Sequence, residues 1–316
     1  MKKLSIFLSF ILGVFLIAPV NLNAQVYKFS GGPSGGTFQY YASAISTLAK
    51  KNKINVLASA SGGAIENIRT VNSGKSTFGV TYSGNVFDAV NGHLKNDDKK
   101  YNDVKAVAYF YGAPGQMIVK AKSGIKSLKQ LVGKRVGVGN AGSGAAANAE
   151  LMLTYLGLWD KITPEFLGYR GAADAFKNGQ LDAFWVFAGF PNAAVLEVAL
   201  QEDVNLLNIF NELDAAGYFE KYPYFQKLVI PAKTYSGQDE PVNSFQDAAI
   251  WVANKDVSAD LVYKLLTAVY SEAGLKYMVE VHKSAKEMSI ADGVKGIVTP
   301  LHPGAEKFWK EKGTIK

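Results

Sequence analysis

Val26-Tyr27-Lys28-Phe29 alternates in hydrophobicity, Gly31-Gly32-Pro33-Ser34-Gly35-Gly36 turns the chain, and Tyr41, Ala44, Ile45, Leu48 and Ala49 then recur at helical spacing. The pattern repeats at once. Ile54 to Ala58 is extended, Ser61-Gly62-Gly63 turns, and Ile65, Ile68 and Val71 mark a second amphipathic helix. Strand, glycine turn and helix in succession predict βα units and a parallel sheet.

The same grammar continues outward. Thr77 to Thr81 is a third strand, followed by Tyr82-Ser83-Gly84 and a helix, and Val104 to Tyr111 is a fourth strand. A second series then begins. Gln116 to Lys120 is extended, Leu128 to Val132 is a short helix, and Arg135 to Gly139 is a strand feeding Gly142-Ser143-Gly144 and an alanine-rich helix to Leu156. Glu165 to Tyr169 reads as a strand, Ala172 to Lys177 as a helix and Leu181 to Phe187 as an apolar strand, after which Pro191 opens a helix. Leu228 to Ile230 and Ala248 to Val252 are strands, and the segment from Ser258 to about Met288 is helical. Two βα series suggest two similar lobes, with the last segment returning to the first lobe and a ligand cleft between the two.

The N-terminus addresses the chain outside the cytoplasm. Met1-Lys2-Lys3 precedes the apolar run Leu4 to Val20, and Ala24 offers a small residue for cleavage, the pattern of a secretory signal peptide. The sequence holds no cysteine, which rules out disulfides, thiolate catalysis and a lipid anchor on cysteine. Removal of residues 1–24 leaves 316 − 24 = 292 residues, enough for two domains. The formal charge of +7 falls to +7 − 2 = +5 with the loss of Lys2 and Lys3. No run of lysine or arginine is interleaved with aromatics, so nucleic acid is not an expected partner.

Four turns share one chemistry: Gly35-Gly36-Thr37, Ser61-Gly62-Gly63, Tyr82-Ser83-Gly84 and Gly142-Ser143-Gly144. Each joins a strand end to a helix start, the edge of an open α/β sheet at which ligands bind. Glycine lets the backbone approach a ligand, while free N–H groups and the helix dipole favour an anion. A hydroxyl adds a donor, although any single turn of this kind also serves as a helix cap. Arg170 follows a strand, precedes a helix and is expected to face the cleft, where it would pair with a carboxylate or form a structural salt bridge. Among aromatics near strand ends, Tyr111 and Phe187 are candidate ligand neighbours.

Competing chemistries lack their parts. Gly137 to Gly142 spells G-x-G-x-x-G, yet the next strand ends at Arg170 and not at the acidic residue a dinucleotide requires. No nucleotide P-loop and no G-x-S-x-G occur, and His93, His282 and His302 lack metal-ligand spacing. No cofactor and no metal are expected. The remaining alternatives are an exported enzyme or a sensor domain on the same two-lobed fold.

In their order, SGGPSGGTFQYYASAIS, ASGGAIENIRTVNSGKSTFGVTYS, VKAVAYFYGAPGQMIV, SGIKSLKQLVGKRVGVGNAGSG, GAADAFKNGQLDAFWVFAGFP and PLHPGAEKFWKEKG resemble the TAXI family of TRAP-transporter solute receptors, from Phe29 to Trp309. The resemblance implies a type II periplasmic-binding-protein fold: two Rossmann-like lobes joined by a hinge. Residues 25–114 would form lobe I, 115–246 lobe II, and 247–316 the return to lobe I with the C-terminal helices. It also implies a non-enzymatic receptor in the periplasm that hands a small anionic ligand, such as glutamate or 2-oxoglutarate, to TRAP permease subunits driven by an ion gradient. Carried over by position, the ligand contacts would come from Thr37, Phe38, Ser61, Gly63, Asn67, Tyr82, Ser83, Gly142, Ser143 and Gly144. The residue reading adds Gly36, Tyr111, Arg170 and Phe187.

Overall fold

The computed structural model describes residues 25–316 apart from 95 and 223, so the signal peptide assigned to 1–24 lies outside the described residues. The chain opens as expected. Strand β1 (Tyr27–Ser30) leads to helix α1 (Thr37–Lys51), β2 (Val56–Ser59) to α2 (Ala64–Asn72), and β3 (Phe78–Tyr82) to α3 (Ser83–Asn91). These strands are parallel in the order β2-β1-β3. All three helices therefore begin at one sheet edge.

The fourth strand departs from expectation. The stretches 104–111 and 116–120 are one strand, β4 (Val104–Lys120), where the sequence predicts two. Gly112-Ala113-Pro114-Gly115 reads as a turn by composition, but its glycines are needed for packing. A Cβ on Gly115 would meet the Trp185 ring at 2.2 Å, and one on Gly112 would meet Gln246 at 1.5 Å.

Strand β5 (Arg135–Gly137) precedes α4 (Gly144–Tyr155), β6 (Thr163–Glu165) precedes α5 (Tyr169–Lys177), and β7 (Ala183–Phe187) precedes α6 (Ala193–Ala199). The expected strand to Tyr169 stops at Glu165, and Tyr169 and Arg170 begin the helix instead. Pro191 does not open a helix. It follows Phe190 through a cis peptide bond, and α6 is capped by Asn192, whose Oδ1 accepts from the Ala194 N–H at 3.0 Å. Strand β8 (Val204–Leu206), helices α7 (Ile209–Ala215) and α8 (Tyr218–Lys221), and strand β9 (Gln226–Ile230) lead into β10 (Val242–Asn254). The helical end resolves into α9 (Ala259–Val269), α10 (Glu272–Val281), a short 3-10 segment (Lys283–Glu287) and α11 (Pro303–Glu311).

Strands β4 and β10 hold the two lobes together. The first part of β4 pairs antiparallel with β10, and its second part pairs with β7 and β8. β10 in turn pairs with β3 over 249–253 and with β9 over 242–246. The sheet order is β2-β1-β3-β10-β4-β7-β5-β6, so two long antiparallel strands lie at its middle. This is the two-lobed α/β arrangement of type II periplasmic binding proteins, with the paired strands as the hinge. Trp185, Trp251 and Trp309 are fully buried. Trp309 Nε1 donates to the Val107 carbonyl at 2.8 Å and fixes the C-terminal helix to β4. Among the described residues, no helix is long and apolar enough to cross a membrane.

Candidate functional site

The helices that follow β1, β2 and β3 start opposite those that follow β5 and β6, and the seam between the lobes runs through these starts. One point of close approach is Gly144, the first residue of α4. A Cβ there would lie 2.6 Å from Asn85 Oδ1 and 2.7 Å from both Ala64 Cβ and Tyr82 Cδ2. Nearby, Gly63 has φ +117, a conformation that side chains rarely adopt, and a Cβ on it would lie 3.2 Å from Ser143 Cβ. The lobes are closed on each other, and glycine is what permits the contact.

Tyr82 latches the closure. Its hydroxyl, at the end of β3, donates to the Phe187 carbonyl at the end of β7. Its ring lies 4.8 Å from Phe38 and 4.9 Å from Phe187, centroid to centroid. Tyr169 completes the joint by donating to the same carbonyl at 3.0 Å and accepting from the Phe187 N–H at 3.3 Å. Burial raises both phenol pKa values above the usual range, so both hydroxyls stay protonated donors.

Three cavities lie along the seam. The inner chamber is lined by Gly36, Thr37, Phe38, Gly63, Tyr82, Ser143 and Gly144, together with Asn140 and Tyr169. At the present closure it encloses about 20 Å³, little more than one water needs. Helices α1, α2, α4 and α5 all point their N-termini at it. The starts of α1, α2 and α5 carry no side-chain cap, whereas Ser143 Oγ caps α4 by accepting from the Ala146 N–H at 3.0 Å. The buried Thr37 hydroxyl faces the buried Tyr111 hydroxyl, whose pKa burial raises well above the usual range while its bonds to Thr37 and the Gly189 backbone oppose that shift. Among the described residues, no acidic side chain lines this chamber.

The outer mouth is lined by Ser34, Ser61, Asn140 and Arg170. Arg170 is exposed in the first turn of α5 and makes no ion pair among the described residues. Ser61 Oγ accepts from the Gly63 N–H at 3.2 Å and so shapes the turn before α2.

A third cavity of about 480 Å³ lies on the far side of Gly142, Ser143 and Gly144, which with Phe187 form part of its wall. Further lining residues not singled out as ligand contacts in the sequence include Arg69, Asn85, Asp88, Asn148, Glu150 and Asp247. Asp247 is 4% exposed, and burial pushes its carboxyl up to about 7 despite hydrogen bonds from the Gly84 and Ala248 N–H groups. Burial likewise lifts Asp88 to about 6, with His93 opposing the shift. The one available signal was Asp247, a charge immediately before the apolar strand expected from Ala248 to Val252.

Of the sequence-predicted residues, Asn67, Ser83 and Tyr111 line none of these cavities. Asn67 is a strut: its Nδ2 donates to the carbonyls of Gly31 at 2.5 Å and Val80 at 2.7 Å, tying β1 to β3 beneath the turns. Ser83 is buried at the start of α3. His302 and His282 are structural. His302 Nδ1 caps α11 by accepting from the Gly304 N–H, and its Nε2 bonds the Val257 carbonyl at 3.0 Å. His282 Nδ1 accepts from the Ser284 N–H, and burial lowers its pKa to about 4.

Residues 29–313 match the NMT1-like family. The chain belongs to it. The fold of this NMT1-like protein recurs in solved structures of low sequence identity. A protein of Bordetella bronchiseptica RB50 is 15% identical, with 90% of this chain and 88% of that one covered at a TM-score of 0.52. A periplasmic transporter is 14% identical, with 92% and 94% covered at 0.50. The substrate-binding protein of an amino acid ABC transporter is 11% identical, with 82% and 100% covered at 0.50.

Proposed function

We propose that this NMT1-like protein is an extracytoplasmic solute receptor that captures a small carboxylate or amino acid between its lobes and delivers it to a membrane permease. The observation that carries the reading is the inner chamber. Helix N-termini from both lobes meet there, beside the buried Thr37 hydroxyl and, among the described residues, with no acidic side chain on the wall. Uncapped N–H groups at the positive ends of helices suit a carboxylate. Arg170 at the mouth adds a cation on the approach path.

The closed chamber is far smaller than glutamate or 2-oxoglutarate, so loading requires the lobes to part about β4 and β10. A ligand then stabilises closure because only the closed form touches it from both sides. The residue resemblance to TAXI receptors favours TRAP permease subunits as the partner and a glutamate-like ligand. Periplasmic localisation follows from the signal-peptide reading of residues 1–24, and lobes that divide near residues 114 and 246 fit the pairing of β4 with β10.

A thermal-shift screen of amino acids and dicarboxylates tests the reading. A ligand at 100 times its dissociation constant stabilises by about 2.7 kcal/mol. Flat melting curves across all carboxylates overturn it. Uptake in vesicles holding the cognate permease then separates the partner classes: a TRAP partner responds to the ion gradient, an ABC partner to ATP.

A further inference from the structure

The third cavity has a composition opposite to that of the inner chamber. Its polar wall brings in carboxylates, which the inner chamber lacks among the described residues. Asp247 is almost fully buried, and among the described residues its carboxylate is met by the backbone N–H groups of Gly84 and Ala248. Asp88 stands close enough to raise the Asp247 pKa by charge repulsion. Asn148 is 7% exposed, and its Oδ1 has no hydrogen-bond partner; Asn85 Oδ1 is buried and unpartnered as well. Both line the cavity. A buried acceptor without a donor costs free energy, and two carboxylates on the wall of one cavity call for a cationic ligand that donates N–H bonds.

The rest of the wall fixes the kind of donor. Tyr224, Phe225 and Phe187 supply aromatic surface, and Leu151 and Ile65 supply aliphatic surface. The volume of about 480 Å³ falls within the usual range of about 300–1,000 Å³ for small-molecule sites. Arg69, the strongest cation on the wall, is already held by Asp97 at 2.8 Å.

We propose that this chamber binds an organic ammonium cation carrying an apolar or aromatic body, at a site separate from the inner chamber. The ammonium group donates to the carboxylates of Asp247 and Asp88, while the body packs on the aromatic wall. An ammonium beside an aromatic face also gains cation–π attraction. The site does not depend on the carboxylate reading, since the two chambers share only the wall at Ser143 and Gly144.

Affinity should follow pH. The titratable or charged groups on the wall are Arg69, Asp88, His93, Glu150, Tyr224 and Asp247. Both aspartates are protonated more readily than usual, so the amine binds better at pH 8 than at pH 5.

The test is calorimetric titration with 2-phenylethylamine, using 2-phenylethanol as the uncharged isostere, on the wild type and on Asp247→Asn and Asp88→Asn. Asp247→Asn keeps an acceptor for the Gly84 N–H, and Asp88→Asn alters a partly exposed site, so the two substitutions probe the charge from independent positions. The expected result is saturable amine binding at pH 8, at least 10-fold tighter than the alcohol, weakened 10-fold or more by either substitution and weakened at pH 5. Equal affinity for amine and alcohol overturns the proposal. So does an amine affinity that both substitutions leave unchanged, or the absence of amine binding to the wild type.

Discussion

The inner and third chambers share a wall at Ser143 and Gly144 but are built from opposite materials. The first is lined by helix starts, hydroxyls and glycine, with no carboxylate; the second gathers two raised carboxylates and unpartnered carbonyls. The first is assembled by local sequence, because each turn lies directly between a strand and its helix. The second is assembled by topology. Asp247 arrives on β10, which returns antiparallel from the second lobe, Asp88 sits on α3 and Asn148 on α4. A βα fold thus places donors at its helix starts by default, and an acceptor-rich site must be brought in by the crossing strand.

The largest effect should come from the shared wall. Gly144→Leu places a side chain where even a Cβ lies within 2.7 Å of Ala64 and Tyr82, and should hold the lobes apart. Overpacking of about 1–3 kcal/mol corresponds to a loss of up to about 100-fold in carboxylate affinity by calorimetry. The melting temperature of the unliganded variant should stay near that of the wild type, since an opened seam relieves the clash. Unchanged affinity would mean that closure at Gly144 has no part in binding.

The next effect separates the chambers by pH. The folded pKa of Asp247, about 7, lies above its unfolded value near 3.8, so the folded state holds the extra proton between these values. Its contribution to stability is therefore fully present in acid and is lost as pH rises from about 4 to about 7. Asp247→Asn should gain melting temperature relative to wild type at pH 8 and little at pH 4. His282 acts in the opposite sense, costing stability as pH falls from about 6.5 to about 4, and is common to both proteins. A pH-independent difference between variant and wild type would place Asp247 outside a desolvated site.

Ser143→Ala should cost about 1 kcal/mol of stability through loss of the α4 cap, measured by denaturant midpoint. The smallest effect belongs to the mouth. Arg170→Ala should slow carboxylate association by no more than a few-fold, and the difference should vanish at high salt, because an exposed charge steers an anion without enclosing it.

Much of the fold was legible because short strands and amphipathic helices leave local periodicities. The four glycine turns and their direction were legible for the same reason. The hinge strand was not: Gly112, Pro114 and Gly115 carry the composition of a turn, although two of them are small only to admit Gln246 and Trp185. The boundary at Glu165 was missed because Phe166-Leu167 continues the apolar pattern past the strand end, while Gly168 is already the N-cap residue of the helix. Asn67 lies beside the turns in sequence yet serves beneath them, since its amide is directed at three strand-end carbonyls.

Hydrogen–deuterium exchange, measured with and without the carboxylate that gives the largest thermal shift, tests the central claim most directly. The account predicts added protection at the backbone amides of residues 36–38, 63–65, 143–145 and 168–170, from both lobes at once. Protection confined to one lobe, or absent from these helix starts, would contradict it.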